Sequence, residues 1–121
     1  MTTVDEQFGL LLENLMNNIE AKSVAIVSQE GLIVKAILEE NTSEIKLAAM
    51  TATILSVAER VLAELKAGIL DNCALTGDEG VFIVMSAGKE LILAACLDLD
   101  ARMDTCFIEM RKVAQQLEKL T

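Results

Sequence analysis

The sequence has no histidine, no proline, no tryptophan and no tyrosine, and only three phenylalanines among its 121 residues. Histidine is the side chain that most often serves as general base, triad partner or imidazole metal ligand, so most acid–base and metal-assisted chemistry loses its usual carrier. The shortage of aromatic rings argues against platforms that stack bases or sugars. Without proline, a low-complexity tract or an internal repeat, no segment reads as a linker. Basic residues are scarce: 10 lysines and arginines face 19 acids, a formal charge of −9 that opposes phosphate backbones and anionic lipid surfaces. Nucleic acid is therefore not an expected partner. No uncharged apolar run approaches the ~18 residues of a spanning helix. The longest candidate, residues 47–58, carries Thr51, Thr53 and Ser56, so membrane insertion is not expected either.

Cys73, Cys96 and Cys106 make an odd set with no CxxC or CxH spacing, which reads as reduced thiols of an intracellular protein. The opening Met-Thr-Thr-Val-Asp-Glu is acidic where a signal peptide is basic, and the cytoplasm is the expected location. What the chain does have is aliphatic residues. It is 53% hydrophobic and 24% charged, with a mean hydropathy of +0.45, which excludes disorder and suits a single domain over residues 1–121.

Val4, Phe8, Leu11, Leu12, Leu15, Met16 and Ile19 recur at helical spacing, and Thr3 with Glu6 predicts a capping box at the helix start. Residues 23–28 and 32–38, rich in branched side chains, flank the turn Gln29-Glu30-Gly31 and predict a β-hairpin. Asn41-Thr42-Ser43-Glu44 predicts a loop and N-cap for a second helix running to residue 67, with Gly68 as its stop. Residues 69–76, 81–87 and 90–98 predict three strands separated by Gly-containing turns. The last is apolar over seven consecutive residues, as a central strand covered on both faces should be. Asp100 is the expected cap of a final helix carrying Met103, Phe107, Met110, Ala114 and Leu117 on one face. The class is α+β: three helices and a five-stranded antiparallel sheet in the order α-β-β-α-β-β-β-α, antiparallel because successive strands join by tight turns.

The middle helix is the informative segment. Leu47, Met50, Ile54, Val57, Ala58, Val61 and Leu65 fall within an arc of roughly 100° and form the face expected against the sheet. The opposite side holds Ala49, Ala52, Ser56 and Ala63, flanked by Glu59 and Arg60, where a surface helix should be charged. Alanine is also simply the best helix former, so a partnerless surface accounts for part of this pattern. Small residues at helical spacing equally suit close approach of a second helix, most simply the same helix of a twin subunit across a two-fold axis. The following strand, through Asn72, Cys73 and Ala74, can meet its mate edge to edge and so protect an exposed edge. A homodimer is the expected assembly.

Several stretches resemble the roadblock family of small dimeric domains. They are Ser28-Gln-Glu-Gly-Leu-Ile-Val, Leu47-Ala-Ala-Met-Thr-Ala, Ala58-Glu-Arg-Val, Glu64-Leu-Lys-Ala-Gly, Gly77-Asp-Glu-Gly-Val-Phe-Ile-Val and Glu109-Met-Arg-Lys-Val-Ala, in that order through nearly the whole chain. Two places depart from the family pattern: Glu30-Gly31-Leu32-Ile33 stands where Asp-Gly-Leu-Pro is frequent, and Ala101-Arg-Met-Asp-Thr105 lacks a glycine common before the last helix. The resemblance implies a profilin-like sandwich and a homodimer, or a heterodimer with a related chain, built on the middle helix and third strand. It further implies a non-catalytic regulator or adaptor of a Ras-like small GTPase. MglB-type members accelerate hydrolysis by a partner GTPase without an arginine finger, so Arg60, Arg102 and Arg111 are not read as fingers. Function from fold kinship alone is an associational warrant.

Other chemistry is weak. Gly77-x-x-Gly80 and Gly88-Lys89 read as hairpin turns, because neither follows a strand and opens a helix as a phosphate loop must. Asp98, Asp100 and Asp104 lack the spacing of a calcium loop and read as caps and solvated charge. Cys96 and Cys106 are expected to be buried and inert, and Cys73 lies at the expected dimer edge. No catalytic residue, cofactor or metal is expected. Lys46, Glu59 and Arg60 border the small-residue face and are the candidate partner-binding residues, with Arg60 and Glu64 expected to pair at i, i+4. The competing readings are a dimeric scaffold indifferent to nucleotide, and a small-ligand sensor, for which few orienting polar groups are present.

Overall fold

A computed structural model describes residues 2–121. Its elements are α1 (Val4–Ile19), β1 (Ser23–Ser28), β2 (Ile33–Ile37), α2 (Glu44–Glu64), β3 (Cys73–Thr76), β4 (Val81–Ala87), β5 (Leu91–Leu97) and α3 (Met103–Lys119). This is the order read from the sequence. The five strands form one antiparallel sheet in the spatial order β2-β1-β5-β4-β3. β5 lies at its centre, and every residue of it except Cys96 is buried because helices cover both faces.

Local chemistry starts and stops each element. Thr3 caps α1, its Oγ1 accepting from the Glu6 N–H at 3.1 Å while its hydroxyl donates to Glu6 Oε1, also at 3.1 Å. Ser43 caps α2 in the same way, accepting from the Lys46 N–H at 3.3 Å. The β1–β2 turn closes when Ser28 Oγ accepts from the Leu32 N–H, with Gly31 at φ +93°. A side chain at Gly31 would meet the backbone of Ala49 at 3.4 Å, so glycine here lets the hairpin tip rest on the start of α2.

The two faces of the sheet build unequal cores. α1 and α3 share one face, where Phe8, Leu12, Leu15, Met110 and Leu117 pack on Ile26, Ile83 and Leu93. α2 alone covers the other, where Ala48 and Leu55 meet Ala25, Val27, Val84, Ile92 and Ala94. Leu55 is the one large side chain of α2 among the fully buried ones.

Four local expectations are corrected. α2 ends at Glu64 rather than residue 67, and the residue that stops it is Lys66, left-handed at φ 55°, instead of Gly68. Lys66 donates its N–H to Ala63 O and Ala67 donates to Leu62 O, the paired bonds of a Schellman end, which a non-glycine residue can close at modest strain. β3 begins at Cys73 rather than residue 69, because its pairing with β4 extends only from Cys73 opposite Val84 to Thr76 opposite Val81. The preceding residues instead carry the chain from the α2 layer to the sheet edge. Arg102, not Asp100, occupies the N-cap of α3, without a side-chain bond, because the chain is still turning at Ala101, whose N–H reaches Asp98 O. Cys106 is buried as expected, but Cys96 is half-buried because the α2 layer does not fully cover its end of β5.

One buried group is unsatisfied. Thr51 is 1% exposed and its hydroxyl has no hydrogen-bond partner. Valine fills nearly the same space without the stranded hydroxyl. Thr51→Val is therefore expected to raise stability by up to about 1 kcal/mol, read as a higher denaturant midpoint at unchanged slope. A loss of stability would mean that the hydroxyl has a partner after all.

Candidate interaction surface

The residues that α2 turns to the sheet are Ala48, Thr51 and Leu55, with Leu47, Ala52, Ile54, Ala58 and Leu62 half-buried beside them. This corrects the expected face by about a quarter turn of the helix. Met50, Val57, Val61 and Leu65, expected inside, are 55%, 43%, 50% and 69% exposed. The reason lies in the sheet beneath. Its central positions under α2 are Ala25 and Ala94, so the helix seats closely through Ala48 and Thr51 and leaves its bulkier residues outside.

Small and large apolar residues thus share one outward surface. Ala49, Ser56 and Ala63 are exposed along one side of it, and Met50, Val57 and Val61 along the other. Thr53, between them, donates its hydroxyl to Ala49 O at 2.8 Å, which satisfies it within the helix and leaves its methyl to the surface. Ala52 is half-buried and packs towards Gly31, so it belongs as much to the monomer as to the outer face. Ala49, Ala52, Ser56 and Arg60 meet in a shallow depression of about 360 Å³ whose other wall is the hairpin tip, Gln29 and Glu30. The hairpin tip was not among the residues singled out from the sequence. No local motif signals it; only the long-range seating of Gly31 against α2 brings it there. A second open depression runs along Val57, Arg60, Val61, Glu64 and Leu65.

The neighbouring sheet edge has the same character. β3 pairs only with β4, which leaves its outer N–H and C=O groups unpaired by another strand. The opposite edge, β2, carries Lys35 in mid-strand, bonded at 2.9 Å to Asp5 of α1, a charge that discourages edge pairing. β3 reads Cys73-Ala-Leu-Thr76 with no charge, and Leu75 is 46% exposed. Asn72 and Cys73 are half-buried at its start and Ala74 is exposed.

Lys46, Glu59 and Arg60 are all exposed. The expected Arg60–Glu64 pair does not form. The ion pairs among the described residues are Lys22–Asp98, Lys35–Asp5, Arg111–Asp71 and Lys112–Glu109. An acid C-terminal to its base is the weaker orientation at i, i+4, which leaves both side chains to solvent.

Among the described residues no three His, Cys, Asp or Glu side chains gather as a metal site. Burial pushes the Cys106 and Cys96 thiols above their ordinary pKa, with Asp104 adding to it at Cys106 and Lys22 opposing it at Cys96, so the reactive thiolate is disfavoured at both. No helix among the described residues is long and apolar enough to cross a membrane.

A five-stranded antiparallel sheet with two helices on one face and a single, doubly apolar helix on the other defines a small profilin-like sandwich. The chain belongs to the Roadblock/LC7 domain family, whose sequence pattern it matches over residues 7–97. It is similar to the uncharacterised protein MJ1340 of Methanocaldococcus jannaschii, 27% identical over 99 residues, spanning 82% of this chain and 86% of that protein. Among solved structures, Myxococcus xanthus MglB superposes with a TM-score of 0.88 at 16% identity, covering 94% of each chain. Profilin IA of Acanthamoeba castellanii is more distant, with a TM-score of 0.55 at 13% identity over 89% of this chain and 96% of its own. At these identities the structural likenesses establish the fold, and they agree with the family resemblance read from the sequence.

Proposed function

We propose that residues 1–121 act as a single roadblock domain that pairs with a second copy through α2 and β3. As a dimer it would regulate or tether a Ras-like small GTPase without catalysing a reaction of its own. The observation that carries this reading is the outward face of α2, where Ala49, Met50, Ser56, Val57, Val61 and Ala63 lie exposed beside an uncharged edge strand. An apolar helix face next to an open sheet edge suits a two-fold partner that brings the same two features. Family membership supports the class of partner, and likeness to MglB supports a role in positioning the GTPase's own residues rather than supplying an arginine finger. Three unpaired cysteines suit a reducing, cytoplasmic setting.

Lys46, Glu59 and Arg60 border the small-residue side of this face, with Arg60 lining both depressions, and are proposed to meet the GTPase across the paired helices. The test is binding of a co-encoded or co-purifying Ras-like GTPase loaded with GTP analogue or with GDP. Binding is expected to differ between the two nucleotide states, and Lys46→Glu with Arg60→Glu is expected to weaken it at least tenfold, since each removes a charge-assisted contact. Equal binding in both states would point to a scaffold. Charge reversal that leaves both dimer and GTPase binding intact would remove these residues from the surface.

A further inference from the structure

Asp71 and Arg111 are 40 positions apart, yet they form the most specific polar contact in the molecule. Arg111 Nε donates to Asp71 Oδ1 at 3.1 Å and its Nη2 donates to Oδ2 at 2.5 Å, a bidentate fork. Asn72 Nδ2 adds a third donor to the same carboxylate at 2.7 Å. The guanidinium also lies 5.8 Å from the centre of the Phe107 ring, one turn back on α3, which fixes its direction. The donors, Arg111 first and Asn72 second, hold the Asp71 carboxyl below its ordinary pKa.

The location gives the contact its interest. Asp71 lies near the end of the connection between α2 and β3, two residues before the edge strand begins at Cys73. Apart from Leu70, half-buried against the α2-side core, that connection is loosely held: Ile69 is 98% exposed, and a Cβ at Gly68 would find nothing within 4 Å. Among the described residues, the side-chain bonds to residues 68–72 are those at Asp71. α3 packs on the face of the sheet opposite α2, so Arg111 reaches round the sheet edge to hold the point where β3 begins. Both partners are largely exposed, and an exposed pair adds little to global stability. Its consequence is local order.

We propose that Arg111 is a positioning residue for self-association, its fork on Asp71 setting the start of β3 so that the bare edge of Cys73–Thr76 is ordered before a second copy arrives. This rests on the proposed dimer through α2 and β3. An edge already held in place spares the pair the ordering cost that a loose strand would add on association. Each copy brings one clamp, so its loss acts twice per dimer.

The test measures the dimer Kd by sedimentation or dilution for wild type, Arg111→Gln, Asp71→Asn and the charge-swapped double variant Arg111→Asp with Asp71→Arg. Each single variant is expected to raise Kd about tenfold with a Tm shift of only about 2 °C, and the swap to recover most of the loss. Arg111→Lys, which keeps the charge without the fork, is expected to recover only part. Val57→Glu, run alongside, separates the two readings. A wild-type dimer that Val57→Glu breaks but both clamp variants leave unchanged overturns the clamp alone, whereas a wild-type monomer overturns the dimer itself. Amide hydrogen exchange in the Val57→Glu background reads the clamp without any dimer. Arg111→Gln is expected to speed exchange at Cys73, where pairing with β4 begins, while leaving β5 unchanged, and unaltered exchange at Cys73 would overturn the proposal.

Discussion

Replacing Val57 by glutamate is expected to leave a folded monomer and to raise the dimer dissociation constant by about 100-fold or more. Val57 is 43% exposed and points away from the core, so a longer polar side chain costs the isolated chain almost nothing. In a paired assembly the same position lies in the apolar seam, where an unpaired carboxylate costs roughly 3–5 kcal/mol. At 1.4 kcal/mol per factor of ten, the lower figure alone raises the dissociation constant by about 140-fold. Circular dichroism should show the helix content of wild type, and sedimentation should show half its mass. Ala52 is the less informative position for this test. It is half-buried and so close to the hairpin tip that a Cβ added at Gly31 would lie 3.6 Å from its methyl, so a glutamate there disturbs the monomer along with the interface. A Val57→Glu protein that remains dimeric would move the interface off this face of α2.

The second large effect comes from the opposite side of the same helix. Leu55→Ala is expected to cost about 3 kcal/mol, within the usual range for a fully buried leucine, whereas Val57→Ala two residues later should cost under about 0.5 kcal/mol in the monomer. Leu55 is 0% exposed and is the anchor of the smaller core, where Ala25, Ala48 and Ala94 are too short to close over the space it leaves. For a chain of this length the loss lowers Tm by on the order of 10 °C. Leu55→Ala should be made in the Val57→Glu background, and Val57→Ala in the wild-type chain at low concentration, because dimerisation adds concentration-dependent stability. The reverse ranking, with Val57 the costlier, would restore the helix orientation read from the sequence and contradict the observed one.

That orientation marks where sequence reasoning stopped. Element order, the hairpin pairings and the central place of β5 followed from periodicity, from glycine at the turns and from an uninterrupted apolar run, whereas the pairing of β1 with β5 has no local signal. α1 was equally plain, since Phe8, Leu12, Leu15 and Ile19 form its only apolar stripe. α2 has two apolar faces, and no periodicity argument ranks one above the other. Weight of large side chains favoured the Met50–Val57–Val61 side. The decision is made instead by Ala25 and Ala94, far away in sequence, whose small side chains accept Ala48 and Thr51 at close range. Asp71 and Arg111 show the same limit, since nothing local links residues 40 positions apart. The end of α2 was misjudged for a different reason: Gly68 is left-handed at φ +95°, but Lys66 takes that conformation first. The candidate interface residues Ala49, Ser56 and Ala63 were legible because uncharged positions on an outer helix face stand out in a chain with so much acid.

The central claim is that the outward face of α2 is covered by a second copy of the chain. Light scattering of the wild-type protein across a dilution series tests it most directly. The account predicts a mass about twice the 13.1 kDa of one chain, falling towards one chain only on extensive dilution. A mass of one chain at every concentration would contradict it and leave the exposed α2 face and β3 edge to a different, related chain.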